Sequence, residues 1–213
     1  MTSKWVIYYF MLPYLKKYSN SFNNHQKLNS MELIEHSNEI FTIQNLWDSS
    51  TCQKFIQKSE KEGFQKALVN TINGPIEMDE IRNNDRLFWE DEDLAEQIWK
   101  EIEEFVPCDL GEYQAIGLNE LFRFYRYDVD QQFNWHYDAP YQRNQNERSF
   151  YTFMIYLNDN FEGGETAFEN IKVGPQTGDG LFFFQELEHA GLPIISGRKY
   201  ILRTDIMYSN IEY

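Results

Sequence analysis

From Asn119 onward the chain is written in short β-prone runs separated by turn residues, and this texture leaves it few ways to fold. Residues 122–127 (FRFYRY) alternate, as does the approach to His136, and such alternation predicts strands with one buried face. Residues 150–157 (FYTFMIYL) form a strongly β-prone run, and 181–184, 193–195 and 199–208 supply further strands. Between them, Glu162-Gly163-Gly164-Glu165 reads as a turn, because paired glycines take positive φ readily. About eight short strands joined this way predict an antiparallel sandwich or jelly roll. Seventeen Phe and fourteen Tyr favour the same β-rich interior, or a lined cavity, over a helical bundle.

The first half of the chain reads differently. Residues 38–47 (NEIFTIQNLW) predict a short strand and turn. Asp48 and Ser49 then cap a helix running to about Glu62, which Gly63 stops. Leu94, Ile98, Ile102 and Phe105 recur at helical spacing, with acidic residues before them and Pro107 after, so a second helix packs under the sheet. Near the amino terminus an apolar run from Trp5 is cut by Pro13 and Lys16-Lys17, far short of the ~20 residues that span a bilayer. It offers a poor small-residue cleavage site for a signal peptide, and residues 19–30 are Asn/Ser-rich like a linker. The expected organisation is an extension over 1–30 outside the domain, with Met31 as an alternative native start. A mixed helical support region over 31–118 and a β core over 119–213 follow it.

Charge and cysteine content narrow the partners. With 34 acidic against 19 basic residues the net charge is −15, and a polyanionic partner needs a basic footprint, so nucleic acid is not expected. Cys52 and Cys108 form no CxxC pair and cannot build a disulfide framework; they are read as reduced, in a cytoplasmic setting.

The chemistry centres on His136-Tyr137-Asp138. On a strand, positions i and i+2 face the same way, so this pair could serve one ion. Of the remaining histidines, His25 lies in the linker-like stretch and His36 near the start of the domain, which leaves His189. Two imidazoles and one carboxylate are the set that holds non-haem Fe(II) on one face and leaves the other open. On spacing alone, a pair of packed polar histidines stands beside that reading.

The surrounding text separates them. RFYRYDVDQQFNWHYDAP, YTFMIYLNDNFEGGETAF, GDGLFFF and HAGLPIISGRKYILRTDIMY, in that order, resemble the prolyl 4-hydroxylase-like branch of the Fe(II)/2-oxoglutarate dioxygenases. The resemblance is dense over about 119–208 and looser over 82–107, where RNNDRLFW precedes the second helix. It implies a mainly β fold with flanking helices, a double-stranded β-helix whose mouth holds the metal. It carries over His136, Asp138 and His189 as iron ligands, Lys199 as the partner of the co-substrate's distal carboxylate, and Tyr127 and Thr152 as its hydrogen-bonding residues. The implied reaction consumes 2-oxoglutarate and O2, releases succinate and CO2, and hydroxylates an unactivated C–H, with ascorbate as reductant. The implied substrate is a peptidyl proline or an amino-acid-like molecule. Arg203, four residues after Lys199 on the same strand face, competes with it; Lys199 holds the motif position, and Arg198 points away. Arg82, Arg86, Arg143 and Arg148 are candidates for a rim that reads substrate, against ordinary surface salt bridges, and 139–149 is a candidate lid. The rivals are a non-catalytic jelly-roll binding module, a small-molecule hydroxylase and a nucleic-acid demethylase on the same fold. The intact ligand set opposes the first and the acidic charge the last.

Overall fold

The computed structural model describes residues 30–71 and 74–210, so the expected extension over 1–30 lies, but for Ser30, outside the described residues. The main strands are β1 (Glu32–Ser37), β2 (Ile40–Gln44), β3 (Asp85–Glu90), β4 (Tyr113–Leu118), β5 (Leu121–Tyr127), β6 (Phe133–His136) and β7 (Glu147–Tyr156). They continue with β8 (Thr166–Phe168), β9 (Gly180–Phe184), β10 (His189–Gly191) and β11 (Lys199–Asn210). Two helices, α1 (Ser49–Glu62) and α2 (Glu92–Ile102), complete the frame. Asp48 caps α1 by accepting from the Thr51 N–H at 2.7 Å, and Gly63 ends it at φ +88°. Asp91 caps α2 through the Leu94 N–H at 3.0 Å. The stripe read from the sequence overran this second helix: α-geometry stops at Ile102, and a single 3-10 turn, Glu103–Phe105, bridges to Pro107.

A ten-stranded antiparallel sheet runs β1-β2-β9-β7-β11-β5-β3, with Gln65–Lys66 beyond β3, β4 docked on the far half of β11 and Asp109–Leu110 paired to β4. Facing it is a four-stranded sheet, β6-β10-β8 and Lys172–Val173. Strand alternation divides the apolar residues between two interiors. Phe122 and Phe124 of β5, Phe153 and Ile155 of β7 and Leu202 of β11 point toward Leu94, Ile98 and Ile102 of α2. The alternate positions on the same strands, Tyr125, Tyr127, Met154, Tyr156 and Ile201, point the other way, toward Phe168 and Val173 of the smaller sheet. The expected jelly roll with supporting helices is therefore present, and strands drawn from both 31–118 and 119–213 enter its large sheet. Between the two sheets lies the pocket. Among the described residues no helix is long and apolar enough to cross a membrane.

Candidate metal centre

His136 closes β6 and His189 opens β10, and the two residues stand directly opposite each other in the antiparallel register. Facing positions in such a pair project to one side, which brings the two rings to a centroid separation of 4.2 Å. Each ring has its Nδ1 tied to a backbone carbonyl, His136 to Asn134 at 2.7 Å and His189 to Leu187 at 3.0 Å. A carbonyl only accepts, so Nδ1 carries the proton in both rings and Nε2 presents a free lone pair inward.

Asp138 reaches the site differently from the strand argument. β6 ends at His136, so the following loop delivers the carboxylate, and contacts from the large sheet hold it there. Thr152 of β7 donates to Oδ2 at 2.6 Å, and Arg203 of β11 pairs with Oδ1 at 3.0 Å. His136 Nε2 lies 3.6 Å from one carboxylate oxygen and His189 Nε2 3.4 Å from the other. One ligand atom from each of the three residues falls within 4.8 Å of the others. Burial alone would push Asp138 up, but the Arg203 guanidinium beside it outweighs burial and holds the carboxyl well below its usual range. Burial also lowers His136. An ionised carboxylate with two imidazole Nε2 lone pairs turned toward it is the donor arrangement that a divalent ion requires, so the donor set fits Fe(II).

The pocket over this cluster is walled by Tyr125, Tyr127, Phe133, Met154 and Ile201, with Lys199 and Arg203 supplying the cations. Lys199 begins β11 after the Gly197 turn and is 2 % exposed, and its Nζ donates to the Gly164 carbonyl. Burial pulls its ammonium down to about 7. The paired glycines answer to close approach as well as to turn geometry. At φ +78° a Cβ on Gly163 would stand 2.4 Å from the Pro193 carbonyl oxygen; at φ +69° one on Gly164 would stand 3.2 Å from the Lys199 side chain.

Tyr127 lines the pocket. The Thr152 hydroxyl, expected to serve the co-substrate, donates to Asp138, because the loop carries that carboxylate over β7. The candidate rim also divides. Arg148 lies against Phe150, with Tyr208 opposite it in register, on the helix-backed side of the sheet away from the pocket. Arg143 pairs with Glu120 and Glu147. The loop 139–149, expected to act as a lid, is braced by those pairs and by the Ser149 hydroxyl, which accepts from Tyr141 N–H at 2.8 Å. Arg82 is not a rim residue; it is 5 % exposed, between the rings of Tyr125 and Phe133. Arg86 stands beside Tyr125 in register.

Arg203, left undecided by the sequence, turns out to bridge Asp138 to Asp205, and Asp205 in turn accepts from Asn119, Arg123 and Gln185. Tyr125, which sequence reasoning passed over, receives a hydrogen bond from Arg203 at 3.3 Å. Its spacing of two from Tyr127 was the available signal.

Residues 122–204 match the sequence profile of the 2OG-Fe(II) oxygenase superfamily. Among curated proteins, the chain is similar to a candidate prolyl 4-hydroxylase of Acanthamoeba polyphaga mimivirus, 27% identical over 187 residues, covering 77% of this chain and 72% of the relative. It is also similar to prolyl 4-hydroxylase 13 of Arabidopsis thaliana, 30% identical over 111 residues, covering 38% of this chain and 40% of that one. Two solved structures share the fold. The viral collagen prolyl hydroxylase of Paramecium bursaria Chlorella virus-1, in its 2OG complex, superposes with a TM-score of 0.59 at 23% identity, covering 81% of this chain and 97% of that one. A Trichoplax adhaerens prolyl hydroxylase in complex with a hypoxia-inducible-factor peptide fragment gives 0.63 at 18% identity, covering 80% and 84%.

Proposed function

The chain is a prolyl 4-hydroxylase-like 2OG-Fe(II) oxygenase, and from that premise we propose that it hydroxylates a prolyl residue in a peptide. It is an oxidoreductase whose co-substrates are 2-oxoglutarate and O2. Bound Fe(II) with these co-substrates supplies oxidation of an unactivated C–H, releasing succinate and CO2. His136, Asp138 and His189 would hold the ion, each through the atom that its hydrogen bonds leave inward. The Nδ1 bonds to Asn134 and Leu187 keep both rings in the ligating tautomer, and Thr152 and Arg203 keep the Asp138 carboxylate from rotating away. Lys199, deep between the sheets, would take the distal carboxylate of 2-oxoglutarate, with Tyr127 beside it. The aromatic and aliphatic walls exclude water from the reacting groups.

Ascorbate would keep the ion ferrous. The two unpaired cysteines support a cytoplasmic setting.

The observation that carries this reading is the convergence of His136, Asp138 and His189 in one pocket that also holds Lys199. Under anaerobic conditions, Fe(II) with 2-oxoglutarate is expected to give the visible charge-transfer band of a chelated complex. An absent band, or one undiminished in His136→Ala or Asp138→Ala, overturns the ligand assignment. Succinate release above background with proline-containing peptides, and not with their alanine counterparts, tests the substrate.

A further inference from the structure

The large sheet presents more positive charge to the pocket than its own carboxylates balance. In register, Tyr156, Ile201, Tyr125 and Arg86 form one row across β7, β11, β5 and β3, and Met154, Arg203, Arg123 and Phe88 form the next. Directly opposed residues of antiparallel strands share a face. Since Tyr125, Ile201, Met154 and Arg203 line the pocket, Arg86 and Arg123 stand on the pocket's own face, one or two strands further out.

Most arginines of this acidic chain have a carboxylate partner. Arg126, Arg143 and Arg198 each hold two, Arg203 is matched to Asp138, and Arg123 to Asp205 at 3.1 Å. Among the described residues, Arg82 and Arg86 have none, and both lie beside Tyr125; Arg148, on the opposite face, is the other without one. Arg82 donates through Nε to Asn84 at 2.8 Å, but its buried Nη2 has no hydrogen-bond partner. A desolvated guanidinium held there projects positive potential through the pocket wall. Arg86 is half-buried and stacks on Phe88, which is 50 % exposed, with ring centroid and guanidinium 4.4 Å apart. Burial alone would push the Tyr125 hydroxyl up, but the guanidinium groups of Arg203, Arg82 and Arg123 bring it down to about 8. In a chain with 34 acidic residues, leaving two adjacent guanidinium groups without carboxylates is a cost that a ligand relieves.

We propose that Arg86, backed by Arg82, reads a carboxylate on the substrate, so that the preferred peptide carries an acidic residue close to the residue that reacts. Arg86 offers the fork that binds a carboxylate bidentately, and exposed Phe88 gives the same residue an apolar platform. The proposal rests on the hydroxylase reading above for the position of the reacting group, and its charge preference is measured separately from turnover.

The test uses matched proline peptides differing only in Glu, Gln or Lys beside the proline. Each is measured twice: by succinate release in air, and by anisotropy of the labelled peptide on protein loaded with Mn(II) and 2-oxoglutarate under nitrogen. The Glu peptide is expected to exceed the Gln peptide at least tenfold in affinity and in kcat/KM, mainly through KM, with the advantage shrinking as salt rises. In Arg86→Gln the ratio collapses to within about twofold, in Arg86→Lys part of it survives through charge alone, and in Arg86→Glu the Lys peptide becomes preferred. Survival in Arg86→Lys separates loss of charge from loss of fold. Selective binding of the Glu peptide without turnover supports the anion-reading wall and sinks the prolyl reaction. Turnover with equal kcat/KM for Glu and Gln peptides, a preference that persists in Arg86→Gln, or no binding of any peptide overturns the wall.

Discussion

A lysine sealed between two sheets is an uneasy cation, and Lys199 holds its charge only with help. Burial brings it down to about 7, against the pull of Glu165, which favours the ammonium. An anionic ligand stabilises the protonated form, so binding takes up a proton wherever the free lysine has lost one. The sign follows: affinity for 2-oxoglutarate is full below about pH 7 and falls as pH rises above it, by at most about tenfold per pH unit. Titrating intrinsic fluorescence with 2-oxoglutarate in the presence of Mn(II) between pH 6 and 9 checks this. Lys199→Arg, whose guanidinium stays charged throughout, is expected to flatten the profile; a wild-type affinity that is flat across the range removes Lys199 from carboxylate binding. Arg203 shows the limit of residue-level reading. Its strand face was legible from its spacing to Lys199, but its engagement with Asp138 depends on where a loop from another part of the chain comes to rest.

At the scale of elements, the turn before β8 matters as much as the strands. Gly163 takes φ +78°, and a Cβ there meets the backbone oxygen of Pro193, which cannot move aside as a side chain can. Gly163→Ala is therefore expected to cost about 1 kcal/mol for the left-handed backbone alone, with the clash in addition. Urea unfolding is the measure, and a variant as stable as the parent would show that the turn relaxes freely. Both helices were readable from capping and periodicity because these signals are local. The end of α2 was less so, since a 3-10 turn keeps the apolar residues coming while changing their angular spacing. The strands from 119 onward were likewise legible, whereas the pairing of β2 with β9, and of β3 with β5, was not.

Across the whole molecule, the candidate metal centre joins the two sheets. The two histidines come from the smaller sheet, while Thr152, Lys199 and Arg203, which hold Asp138 and the anionic end of the pocket, come from the larger one. A ligand that binds only the assembled site stabilises the fold by mass action, by about 2.7 kcal/mol at a hundredfold excess over Kd. Mn(II) with 2-oxoglutarate is expected to raise Tm by roughly 5–10 °C, and a chelator to reverse the rise. The same additions to Asp138→Ala should leave Tm unmoved; an equal shift there places the metal elsewhere. What the sequence determined by itself was whatever depends on near neighbours along the chain: strand faces, helix caps, the paired-glycine turn, and the residue types able to hold an iron. The tertiary structure alone decided which hydroxyl supports Asp138, that Arg148 turns from the pocket, and that Arg82 and Arg86 stand beside it without carboxylates. Those outcomes depend on the register between strands distant in sequence, where a shift of one residue reverses every face.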